Sequence, residues 1–292
     1  MNYIKICLAA ACILRLWGPF SVALAGSVTQ PGSTLGTAPG APLPEGFYFS
    51  NTADWGVRDP STRLLVDHPV YIWSTPWMIL GARFHVLAET ALDANERGGR
   101  HAGGFYNPLL TGQLAWDLGN GFGFSYTFGA YFDVHQELAW SSTSITQRFA
   151  LSYTGGGWNL TANVIYGIHL DAFTDRPQIS PCPAPFGLNG CNPNFMNIDL
   201  TATKKFDKWE LGPVAFGSTD LSRPIASYGK QSQFAAGWLV GYDFGPVRLQ
   251  AYVTRDAYER NYFGHDTRVW GRVTVPLWTA AASTPPVVVR RY

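Results

Sequence analysis

Charge is what this chain has least of. Lys, Arg, Asp and Glu make up 14% of its 292 residues and cancel to a formal net charge of +1. So balanced a composition gives no basis for a nucleic-acid partner or for an acidic one. Long apolar runs are missing as well. The best of them, Ile6 to Ala25, is broken by Arg15 and Pro19, and no uninterrupted span reaches the roughly 18 residues of a transmembrane helix. With Lys5 ahead of it and Ala23-Leu24-Ala25 before Gly26, residues 1–25 read instead as a secretory signal peptide. Cys12, after Ala9 to Ala11, also resembles a lipoprotein cleavage box, but the apolar segment before it is very short.

Only four cysteines occur, and removal of the signal leaves Cys182 and Cys191, in a loop rich in Pro, Gly and Asn. In the oxidising compartment of an exported protein such a pair is expected to form a disulfide. Metal binding is the alternative, but neither a neighbouring His nor a second cysteine pair is there to complete a four-ligand site. Catalytic motifs are absent too: there is no Gly-x-Ser-x-Gly elbow, His-Glu-x-x-His pair or phosphate loop. Some outer-membrane barrels are lipid hydrolases with Ser and His on the lipid-facing side. Here His85, His135 and His169 fall inward or at loop edges, with no Ser that the sequence can place beside them. Neither an enzyme nor a cofactor is expected.

Aromatics, by contrast, reach 15%, and they are patterned. In Phe195 to Gly217, Ile198, Leu200, Ala202 and Phe206 alternate with Asn197, Asp199, Thr201, Thr203 and Lys205. After Asp207-Lys208 the apolar face resumes at Trp209, Leu211, Pro213 and Ala215. A period of two over about 10 to 12 residues exceeds the usual strand of a globular sheet and suits a tilted membrane-crossing hairpin. Twelve such segments are predicted: 47–52, 68–74, 77–91, 108–118, 122–135, 145–154, 158–171, 195–206, 209–219, 231–244, 247–258 and 266–278.

Their connections alternate. Short ones at Thr75-Pro76, Gly119 to Gly121, Gly155 to Gly157, Asp207-Lys208 and Gly245-Pro246 carry turn chemistry. Long ones fall at 53–67, 92–107, 136–144, 172–194, 220–230 and 259–265. Outer-membrane barrels pair short periplasmic turns with longer extracellular loops in this way, and an even strand count leaves both ends in the periplasm. The faces agree. Phe122, Phe124, Tyr126 and Phe128 point outward, as do Trp158, Leu160, Ala162 and Val164, and none is charged. A charge on the lipid face at mid-bilayer would cost about 2–4 kcal/mol. Trp77, Trp116, Phe122, Trp158, Trp209, Phe244 and Trp278 gather at the turn ends as an aromatic girdle. An exported β-sandwich shares the alternation, but it has no reason to alternate long with short connections along the whole chain.

The residues also carry a resemblance. Pro44 to Tyr48, the stretch from Pro69 to Gly81, Gly103 to Trp116, Asn197-Ile198-Asp199, and Lys205 to Pro213 make residues 44–278 similar to the family of outer-membrane proteins named for the meta-pathway of phenol degradation. Tyr106-Asn107, in place of an Asp after the glycines, and a tail beyond Trp278 depart from its pattern. The resemblance implies an outer-membrane channel for aromatic or other hydrophobic compounds.

The sequence therefore predicts an all-β fold, an antiparallel transmembrane β-barrel of about 12 strands in the bacterial outer membrane, with lipids and a small solute as partners. A signal peptide (1–25), a flexible periplasmic leader (26–45), the barrel (46–278) and a mobile periplasmic tail (279–292) make up the chain. For the tail the alternative is that Val287 to Val289 joins an edge or plugs the lumen. The inward alternates nominate Arg83, His85, Tyr131, Arg148, Asp199, Arg248, Tyr252, Arg268, Trp270 and Arg272 as the solute pathway, with Glu89, Lys205, Glu210, Asp256, Tyr71 and Ile165 beside them. Arginine could contact carboxylate or phenolate, and the aromatics the apolar part of a solute. These charges could instead pair across a narrow barrel and satisfy one another. The expected function is uptake of small aromatic or amphipathic solutes; the alternative is a structural or surface-interaction barrel with a closed pore.

Overall fold

The computed structural model describes residues 27–58, 62–97, 100–134, 139, 142–170, 192–262 and 264–280. The signal peptide, the Cys182–Cys191 pair and all but the first two residues of the tail lie outside them.

The described residues form fourteen strands: β1 (Gly46–Arg58), β2 (Thr62–Ile79), β3 (Ala82–Glu89), β4 (Leu92–Arg97), β5 (Arg100–Phe105), β6 (Leu109–Gly119), β7 (Phe122–Tyr131), β8 (Ser144–Tyr153), β9 (Trp158–His169), β10 (Phe195–Phe206), β11 (Trp209–Asp220), β12 (Ser232–Asp243), β13 (Arg248–Arg260) and β14 (Asp266–Thr279). Neighbours in sequence pair antiparallel except that β3 pairs with β6, past β4 and β5, and β1 closes the ring against both β2 and β14. Twelve strands make the barrel. β4 and β5 are an extra hairpin that adds to the far half of β2, beyond the reach of β3. Both barrel ends of the chain meet at the short-turn side, where Gly46 pairs with Thr279.

Turn chemistry sets the hairpins at that side. Asn120 and Gly121 both take positive φ, 52° and 84°, the mirror-image turn whose twist matches its flanking strands. One turn differs from the sequence reading. The chain does not reverse at Thr75-Pro76; β2 runs on to Ile79 and turns at Leu80-Gly81. Pro76 has no amide hydrogen for a ladder, and the β2–β3 register is irregular between Ser74 and Met78. Thr75 covers the gap: its hydroxyl donates to the Phe84 carbonyl and accepts from the Trp77 amide. The predicted loop at 53–67 is likewise mostly strand, since β1 and β2 stay paired from Gly46/Ser74 to Arg58/Thr62. Tyr71 faces out, half exposed and against Phe49, because the inward positions of β2 are the even-numbered ones.

The larger correction concerns residues 27–43. They are not a flexible periplasmic leader but lie inside the barrel. Ser27, Val28, Thr29 and Leu35 are buried, and the segment bonds to β6, β8, β9, β10, β13 and β14. From Ser27 to Pro44 it holds no charged residue and is rich in Gly, Pro, Ser and Thr. The composition that reads as disorder leaves many backbone groups unpaired within the segment, and the polar barrel wall pairs them.

A plugged lumen as the candidate functional site

The inward faces of the strands are mostly polar and the outward faces apolar, so much of the barrel interior is built from side chains that need partners. Most ionic ones find them on the wall. Arg148 donates to Glu89 at 2.6 Å, and Glu89 also holds His68 at 3.2 Å. Arg268 bridges Asp54 and Asp266, and Arg248 pairs with Glu210. Tyr131 lies between Arg148 and the plug, its hydroxyl 2.9 Å from the Thr29 hydroxyl. His85 meets Gln113 at 2.7 Å. Arg83 donates to the Thr75 carbonyl near the short-turn rim.

Two of the nominated residues stand apart, because the plug supplies the described partners of Asp199 and, together with two wall hydroxyls, those of Arg272. Asp199, on β10, accepts from the Gly32 amide at 2.9 Å, the Thr34 amide at 3.0 Å and the Thr34 hydroxyl at 2.6 Å. Arg272, on β14, has no carboxylate partner among the described residues. Its guanidinium donates to the carbonyls of Ser33 and Leu35, to the Thr52 hydroxyl and to the Tyr252 hydroxyl. One turn of the plug thus gives its donors to an anion and its acceptors to a cation. Further along, Gln250 and Asn159 donate to the Gly36 carbonyl, and Asn197 holds Ser27 and Thr29.

Side-chain packing seats the same turn. Leu35 is wholly buried in a cluster with Val214, Phe216, Leu239, Tyr252 and Trp270. Tyr252 and Trp270 stack at 5.2 Å with their planes 13° apart, and Phe216 meets Trp270 edge-on. Two glycines make this approach possible. At Gly32 a Cβ would stand 2.8 Å from the Phe216 ring, and at Gly36 2.5 Å from Leu239; both have positive φ. No spacing rule identifies the plug residues Gly32, Ser33, Thr34 and Leu35. The available signal is that period two puts Asp199 and Arg272 on the inward face.

Beside the plug remains a cavity of about 300 Å³, bordered by Ser33, Thr34, Thr52, His68, Gln250 and Arg272. That is the lower end of the range for small-molecule sites. A larger hollow of about 950 Å³ lies on the outer wall, lined by Leu151, Leu160, Ala162, Leu200 and Ala202. It faces lipid and carries no charge, so the lumen holds the chemistry. Among the described residues no group of His, Cys, Asp and Glu is arranged to hold a metal.

Solved structures with this fold include the outer membrane channel of Pseudomonas putida F1, 12% identical, covering 85% of this chain and 99% of that one with a TM-score of 0.58. The NanC porin, 10% identical, covers 78% and 100% with a TM-score of 0.47. No curated protein sequence matches the chain. Residues 45–273 match the family described as the MetA-pathway of phenol degradation, a stretch that begins just after the plug. The chain belongs to that family, as a twelve-stranded antiparallel barrel of the bacterial outer membrane.

Proposed function

We propose that the protein is a selective outer-membrane channel for small aromatic or amphipathic solutes, closed in this conformation by residues 27–43. The observation that carries this reading is the division of labour in the lumen. Wall charges such as Arg148–Glu89 and Arg268–Asp54 are satisfied by one another, whereas Asp199 and Arg272 have no ion-pair partner among the described residues and draw on the backbone of the plug instead. A barrel needing nothing but stability could have paired these two on the wall as well. The Pseudomonas putida relative is named a channel, and the family is named for phenol degradation, which supports both the transport role and the aromatic class.

A closed structural or surface-interaction barrel is the second reading, and the occupied lumen favours it. Planar-bilayer recording separates the two. The wild type should show rare openings, and a variant lacking residues 27–43 steady conductance with flux of phenol-sized solutes. A plugless, heat-modifiable barrel that passes neither ions nor solutes would establish the structural role instead.

A further inference from the structure

Within the channel reading, on which the following rests, we infer that Arg272 with the Tyr252–Trp270 wall is a binding site for a small aromatic carboxylate, and that plug residues Ser33 to Leu35 occupy it as a built-in competitor. Arginine recognises carboxylate by offering two parallel N–H groups to two oxygens. Here those two groups are given to the carbonyl oxygens of Ser33 and Leu35. The Leu35 side chain stands for the apolar body, set among Phe216, Tyr252 and Trp270. The plug turn therefore offers what a compact organic anion would offer: two oxygens for the fork and an apolar group for the aromatic face.

Its partners assign the site to Arg272 in preference to Arg148, Arg248 and Arg268. Arg148, Arg248 and Arg268 each hold a carboxylate already, and an anion reaching them would have to displace Glu89, Glu210 or Asp54. Arg272 holds only neutral acceptors, weaker partners for a guanidinium than a carboxylate. It shares the border of the 300 Å³ cavity with Arg148 and Arg248, and the cavity gives a ligand of about ten heavy atoms a place beside the plug before the plug moves. Aromatic ligands are favoured over aliphatic ones because the wall behind Leu35 is a stacked ring pair, which gains from offset or edge contact with another ring. Binding and opening are then the same event: a carboxylate that takes the fork removes two of the bonds that hold the plug closed.

Titration calorimetry with benzoate on folded, detergent-solubilised protein tests this. Gly36→Val, which drives a side chain into Leu239 and strains a positive-φ position, should unseat the turn and tighten benzoate binding by about ten-fold or more over wild type. Asp199→Ala releases the same turn from its other side and should do likewise, which guards against a folding defect peculiar to the glycine variant. Adding Arg272→Gln to either background should abolish the gain; adding Arg248→Gln should not, and neutral benzamide should bind weakly throughout. Equal affinity in wild type and both unseated variants, or benzoate binding that survives Arg272→Gln, overturns the site. Its failure and that of the channel are separable. Arg272-dependent binding by a barrel that never conducts leaves the site and removes the channel; conductance without Arg272-dependent binding does the reverse.

Discussion

At the scale of single residues, the lumen separates charges that hold the wall from charges that hold the plug. Asp199 belongs to the second group, with three donors from Gly32 and Thr34 and no wall cation within bonding distance among the described residues. Hydrogen bonds to a charged group contribute about 1.5–3 kcal/mol each and do not add in full. Asp199→Ala should therefore shift the closed state by about 3 kcal/mol, roughly a hundred-fold in the closed-to-open ratio. Open probability in single-channel records measures it, and an unchanged closed fraction would mean that the plug is anchored elsewhere. Period-two alternation placed both Asp199 and Arg272 on the inward face, and that is where they lie. Their partners were illegible, because a backbone amide or carbonyl is offered equally by every residue of Ser27 to Pro44 and only the fold selects which one is used.

Among elements, the strands with strict alternation were the readable ones; β10, expected at 195–206, is found there to the residue. The misreadings collect at β2, where Pro76 resembles a strand breaker. It sits where the ladder tolerates it, in the irregular stretch opposite β3. The β4–β5 hairpin was read as loop because it crosses no membrane; it extends β2 above the barrel. It carries Asp93, nine-tenths buried with one oxygen unbonded. Burial, and after it the nearby Asp54 charge, push its carboxyl up to about 7, with His68 and Arg268 pulling the other way. A raised carboxylate favours the protonated fold: the contribution is full below the unfolded value of about 4 and is lost as pH rises through 7. The hairpin amides should exchange with deuterium faster at pH 8 than at pH 6 once intrinsic exchange rates are corrected, and Asp93→Asn should remove the difference. Equal corrected rates in the wild type would show that Asp93 does not control the seat.

For the whole molecule, the long-and-short rhythm of the connections made the closed barrel legible before any strand boundary was certain. It also fixes an orientation that labelling can test. Asp93 and Asp220 lie in the predicted outer loops but are buried, so exposed positions serve better. Ser227 is exposed in the connection between β11 and β12, and Asn120 at the opposite, short-turn end. On intact cells an impermeant maleimide should modify Ser227→Cys and leave Asn120→Cys untouched; the opposite pattern would invert the protein in the membrane. What the sequence hid at this scale was the interior, since a segment without charge or apolar periodicity looks the same whether water or a polar wall surrounds it.

The seam between β1 and β14 is also a mechanical joint. In an empty barrel each stave touches only the two beside it, and roundness depends on a single hoop of backbone bonds. The plug adds spokes. One turn ties β10 through Asp199 to β14 through Arg272, and its neighbours reach β9 through Asn159 and β13 through Gln250. The hub of this wheel is the chain immediately before the first stave, so the last stave can dock only around an axle already lying in place or one later drawn through. Withdrawing the axle frees the cross-section to ovalise, and the bore a solute meets is then set by the compliance of the rim as well as by the side chains on it.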